Sequence, residues 1–187
     1  MRYFRLLDDV RVPGRWHLGE LTMPGAVAPD FLGGGDFPVG TSALVAISHA
    51  GKPLDFCFTS FGLPVAKKEL ADVIASIAGD ELQVVPLLVE GDSGYVVIHA
   101  RRLVACLDEK RSEFVKWTDR DHRSDLAGRY RMVTKLIVDS QRIPTRTHVF
   151  RIDGWPIALI VSQTVKDMME AAGCVGAKFE EASSRTA

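Results

Sequence analysis

The feature that most constrains this chain is the apolar block Ile157-Ala-Leu-Ile-Val161. Five apolar residues in a row, without alternation, read as a strand buried on both faces. Asp153-Gly154-Trp155-Pro156 ahead of it is a turn signal. Ser162 behind it stands where a helix N-cap belongs, because its hydroxyl can accept from an otherwise unpaired amide of the first turn. Val165, Met168, Met169 and Ala172 then recur at helical spacing, and Gly173 supplies a C-terminal stop. His148-Val-Phe-Arg-Ile152 reads as a short strand before the turn. Val175, Ala177 and Phe179 alternate as a last strand after the helix. The whole stretch from 148 to 181 is packed scaffold, and it carries no recognisable chemistry.

The upstream chain repeats the same kinds of element. Tyr3 to Leu7 reads as a strand broken by Pro13-Gly14, and Trp16 and Leu18 resume burial. Residues 20–40 are rich in glycine and proline and read as a loop. Ala43 to Ile47 and Leu54 to Thr59 read as strands. Pro64 and Val65 lead into a helix with Leu70, Val73, Ile74 and Ile77 on one face, ending near Gly79. Leu82 to Val89 is a strand whose Pro86 suggests an edge or a bulge. Gly91 to Gly94 reads as a hairpin turn, followed by strands at 95–98, 103–107 and 133–138. The apolar positions of the first helix match those of the second at a constant offset of 95 residues, a weak internal echo. The fold class expected is α+β: a mixed β-sheet with two main helices, near Ala66–Ala78 and Gln163–Ala172, packed on it. We expect one domain over 1–187, with candidate lobes at 1–107 and 108–181 and a frayed polar tail at 182–187.

Composition narrows the function classes. With 187 residues, 47% of them hydrophobic and 25% charged, the chain can bury one sizeable core. A net charge of −1 gives no global attraction to nucleic acid or to an anionic membrane. The N-terminus has no apolar core of signal-peptide type, and no apolar run is long enough to span a bilayer. Cys57, Cys106 and Cys174 are odd in number and have mostly apolar neighbours, so they read as buried thiols of a reducing compartment. A cytoplasmic protein is expected.

Candidate chemical sites are sparse. Gly33-Gly-Gly35 is followed by Asp36-Phe-Pro38 and not by a helix start with Lys-Ser or Lys-Thr, so it reads as a surface loop and not a phosphate cradle. No two of the five histidines are spaced four apart. Ser60 and Ser162 lack the glycine-flanked nucleophile elbow, and His148 reads as a structural strand histidine. Asp119-Arg-Asp-His122 brings two carboxylates and an imidazole together. A bent loop could offer them to a divalent ion, although Arg120 and Arg123 neutralise the acids locally. No cofactor is implied.

Residues 108–131 are the most charged stretch, with six acids and seven bases interleaved with Phe114, Trp117 and Tyr130. Alternating signs make a poor phosphate handle, and on the residues alone the run reads as a solvated face with local ion pairs.

Asp108-Glu109 with Arg111-Ser-Glu-Phe114 and Trp117, then Arg131-Met-Val133, then His148 to Ile152 with Trp155, resemble a family of bacterial immunity proteins. Ala172-Gly173 with Gly176-Ala-Lys-Phe179, and Leu7-Asp-Asp9 with Pro13-Gly-Arg-Trp16, belong to the same resemblance. The family is number eleven in the immunity series and was earlier a domain of unknown function. The resemblance implies a cytoplasmic, non-enzymatic protein that binds and blocks a cognate toxin encoded by an adjacent gene. It carries over no catalytic residue, but the toxin-binding role it implies suits the composition of the charged stretch, with Arg111, Trp117, Asp119, Arg120, Asp121, His122 and Arg123 as the candidate partner-binding residues. Two other readings stay open on the residues alone: a small metal-dependent hydrolase using Asp119, Asp121 and His122, and an adaptor that loads a secreted effector.

Overall fold

The structure, a computed structural model, describes residues 1–23, 32–38 and 40–183. Residues 24–31 and 39 of the glycine- and proline-rich loop expected at 20–40, and the last four residues of the tail, lie outside the described residues. Along the described chain run β1 (Tyr3–Asp8), β2 (His17–Thr22), β3 (Ala43–His49), β4 (Phe56–Phe58), β5 (Pro64–Lys67) and α1 (Lys68–Ala78). Then follow β6 (Leu82–Val89), β7 (Asp92–Ala100), β8 (Leu103–Val104), β9 (Glu113–Lys116) and β10 (Tyr130–Lys135). The chain closes with β11 (Val149–Ile152), β12 (Trp155–Ser162), α2 (Gln163–Ala171) and β13 (Ala177–Glu181). The architecture is α+β, as expected.

Two mixed sheets and one ribbon organise these elements. One sheet has the order β13-β1-β12-β11-β8, another has β2-β3-β6-β7-β5-β4, and β9 and β10 pair as a separate ribbon. Within each large sheet a helix makes a crossover. β5 and β6 both run antiparallel to β7, so they are parallel to each other and α1 connects them. β12 and β13 flank β1 in the same way, connected by α2. The 95-residue echo thus falls on two units of like topology, although the central strand follows the first unit and precedes the second. The boundary at 107/108 does not separate the sheets, because β1 and β8 pair with strands of the second stretch.

Three apolar clusters hold the layers. The two helices bring both sheets into a single cluster: Leu70 and Ile74 of α1 and Val165 and Met169 of α2 meet Phe4, Leu6, Ile98 and Leu159. The opposite face of the five-stranded sheet buries Tyr3, Phe150, Trp155 and Ile160 beneath Val133 of β10. The opposite face of the six-stranded sheet packs Trp16, Leu18, Leu54 and Val97 together. Each large apolar side chain fully removed from water contributes about 1.5–3 kcal/mol.

The structure corrects several expectations. Residues 64–67 are a strand and not a helix entry, because Val65 and Ala66 find partners in β7 that lie far away in sequence. Pro86 is in a central strand, but it sits just before Leu87, the first residue paired with β3, so its missing N–H leaves that ladder intact. The hairpin turn is Glu90-Gly91, not 91–94. Both residues have positive φ, 48° and 94°, the geometry of a two-residue turn that matches strand twist. Ile157 is 56% exposed, because β12 gains its second neighbour, β1, only from Leu159 onward. Met168 is exposed as well, so the inward stripe of α2 narrows to Val165 and Met169. Trp155 and Pro156 already belong to β12, which leaves Asp153-Gly154 as the turn. The tail is tied down as far as Ser183: Val138 donates to the Ala182 carbonyl, and the Ser183 hydroxyl accepts from the Tyr3 amide.

Candidate functional site

The ribbon of β9 and β10 carries the charged stretch. Its underside, Phe114, Tyr130 and Val133, packs on the cluster around Trp155. Its base is fixed by the turn of the β11–β12 hairpin, where the Tyr130 amide donates to the Gly154 carbonyl at 3.0 Å. Gly154 has φ +79°, and a Cβ there would lie 3.3 Å from the Tyr130 ring, so a side chain is disfavoured on both grounds. Lys116 joins the two strands: its ammonium lies 2.6 Å from the Glu109 carboxylate and over the Tyr130 ring at 5.0 Å. The Tyr130 hydroxyl donates to the same carboxylate at 2.6 Å. Lys116, then Tyr130, hold Glu109 below the usual carboxylate range, while burial and the Glu109 contact push the Tyr130 phenol up.

Beyond the ribbon, residues 117–129 form a closed loop. Trp117 donates to the Arg129 carbonyl and accepts from the Gly128 amide, both at 2.9 Å. Asp121 ties the turn inside the loop, accepting from the Thr118 amide at 2.7 Å and hydroxyl at 2.8 Å, and pairing with Arg131 at 3.3 Å. The Thr118 amide, then its hydroxyl, hold the Asp121 carboxyl below its ordinary value. The Arg131 guanidinium lies over the Trp117 ring at 4.9 Å, and the His122 ring meets that indole edge-on at 5.3 Å. Arg123 pairs with Asp125 at 2.7 Å.

Six of the seven candidate residues therefore share the loop 117–129, where His122 meets Trp117. Arg111 stands apart, before β9 at the far end of the ribbon, 3.8 Å from Asp108. The side chains of Asp119 and Arg120 are exposed and make no hydrogen bond or ion pair with any described residue. The exposed partners Val115 and Met132 sit opposite each other on the ribbon, at 46% and 50% exposure. Neither of these, nor Arg131, is among the candidate binding residues of the sequence, because cross-strand pairing is not visible there.

The metal alternative finds no support. Asp121 is committed to Thr118 and Arg131, and His122 to Trp117. Among the described residues no group of three His, Cys, Asp or Glu side chains is arranged to hold a metal ion. A groove of about 350 Å³ elsewhere is lined by His17, His49, Ser60, Asp8 and Arg15. Arg15 spends four of its five N–H donors on both Asp8 oxygens, each at 2.7 Å, and on the carbonyls of Asp9 and Trp16, so it is engaged within the fold. The thiols of Cys57, Cys106 and Cys174 are each pushed up to about 12 by burial, which keeps them protonated and chemically quiet.

A family model described as "Immunity protein family (Imm11)" matches residues 26–184, most of the chain. This chain belongs to the Imm11 immunity protein family. The match takes in the ribbon, its loop, both helices and β3 to β13. Comparison with curated proteins gives no match. No helix among the described residues of this Imm11 protein is long and apolar enough to cross a membrane.

Proposed function

We propose that this Imm11 protein is a non-enzymatic cytoplasmic inhibitor that binds a cognate toxin, encoded by an adjacent gene, and neutralises it by occlusion. Family membership is the observation that carries the reading. The ribbon and its loop are the proposed contact surface, with Arg111, Trp117, Asp119, Arg120, Asp121, His122 and Arg123 facing the toxin. The loop supports this assignment in two ways. Its own hydrogen bonds hold it in shape before binding, so little ordering cost remains. It also offers an arginine–tryptophan stack beside solvated charges and the apolar pair Val115 and Met132, a composition common at the centre of protein interfaces.

The test is co-expression with the neighbouring toxin gene, read as cell survival, with affinity measured on the purified pair. Asp121 and Arg123 are poor probes, because changing them disturbs the loop itself. Asp119→Lys with Arg120→Glu touches no internal partner. That double variant is expected to weaken toxin binding by about ten- to a hundredfold while leaving thermal unfolding unchanged. Cells that die equally with and without the protein would refute the inhibitor reading; unchanged affinity in the double variant would move the contact surface elsewhere.

A further inference from the structure

A second anchoring point lies beside the ribbon. Arg5 stands on β1, in the interior of the five-stranded sheet, and its half-buried guanidinium lies over the Trp155 ring at 4.9 Å. Among the described residues it makes no hydrogen bond and no ion pair. It lines a pocket of about 220 Å³ walled by Thr134 and Lys135 of β10, by Leu136 and Ile137, and by Glu180 and Glu181 of β13. Burial lowers its pKa, opposed only by Glu180, its cross-strand neighbour. Both acids of the wall are already engaged. Glu180 is held by Lys178 at 2.6 Å and Glu181 by Arg2 at 2.8 Å. Lys135 has only a loose contact with Glu113, at 4.0 Å, with both side chains well exposed.

We infer that the Arg5 pocket receives a carboxylate of the bound toxin, an aspartate or glutamate side chain, as a second anchor of the interface. Its place over the Trp155 ring leaves the guanidinium donors for a planar, two-oxygen acceptor. The volume suits one side chain and is small for a nucleotide or a drug-sized metabolite. Lys135 supplies a second positive charge at the mouth. Continuity selects a protein carboxylate over a free small anion, because Thr134 and Lys135 lie on the strand that carries Arg131 of the proposed contact surface. The inference rests on the toxin-binding reading above.

The experiment has two arms. In the first, the Arg5 Nε–H and Trp155 indole resonances of the intact chain are followed by NMR during titration with sodium acetate, against sodium chloride at equal ionic strength. A saturable shift of both is expected with acetate, absent in Arg5→Gln and weakened several-fold in Lys135→Gln, an exposed change that leaves the core alone. No shift, or the same shift in Arg5→Gln, overturns the site. In the second, toxin affinity is expected to fall about ten- to a hundredfold in Arg5→Gln, with at most partial recovery in Arg5→Lys. Acetate binding with unchanged toxin affinity would make the pocket a small-anion site only and overturn the partner assignment. If wild type binds no toxin, the functional proposal fails while the acetate titration still decides the pocket.

Discussion

His99 shows how a single side chain can make this fold sensitive to acid. It is 2% exposed, with Nε2 2.6 Å from the Gly35 carbonyl and its ring edge-on to Phe37 at 4.6 Å. A carbonyl only accepts, so the neutral ring carries its proton on Nε2. Burial is the main cause that lowers its pKa below 6.5. Arg151 and Arg101 act in the same direction, and the Gly35 hydrogen bond and Asp36 act against it. The unfolded chain therefore takes up a proton near pH 6.5 that the folded chain refuses until lower pH. Stability should fall as pH drops below about 6.5, by at most about 1.4 kcal/mol per pH unit from this group, and level off below the folded pKa. Urea unfolding between pH 7.5 and 5 is expected to show a shallower decline in His99→Gln than in wild type. Parallel curves would assign the acid sensitivity to other groups.

At the scale of elements, local chemistry was legible and non-local pairing was not. The β12–α2 unit could be read because its signals are contiguous: an apolar block, a capping serine and a stop glycine. The cap is there, with the Ser162 hydroxyl accepting from the Val165 amide at 3.3 Å. The same hydroxyl lies 2.9 Å from His148 Nδ1, a contact that ties β11 to the helix start. Ser162→Ala should cost about 1 kcal/mol in chemical denaturation, and slightly more if the His148 contact contributes. β5 was misread because Pro64 is also a good first helical residue, and only its pairing with β7 decides otherwise. The candidate loop was found through its charge and aromatic content. Its anchors were not, because Arg131 reaches Trp117 across a hairpin, and Arg5 reaches its pocket through a strand paired with the far end of the chain.

Over the whole molecule, polar contacts reinforce the joint between the two sheets. Glu81, buried ahead of β6, accepts from the amides of His148 at 2.7 Å and Val149 at 3.0 Å, at the start of β11. Arg102 stands 3.4 Å from its other oxygen. Removing that carboxylate strands two amides at the junction. Glu81→Ala is expected to cost about 2–4 kcal/mol in equilibrium unfolding. Glu81→Gln, which keeps an acceptor, should cost less. Equal losses for the two would mean that charge and not amide satisfaction matters at the joint.

The place of β1 has a consequence for how the molecule is made. Its neighbours on either side, β12 and β13, lie far downstream in the sequence, and Tyr3 bonds to Ser183 across 180 positions. A ribosome-bound chain must therefore keep β1 waiting until β12 and β13 have been made. Sequence separations of that size slow folding, since loop closure precedes any reward from contact. No fragment that stops short of β13 can therefore pair both edges of β1.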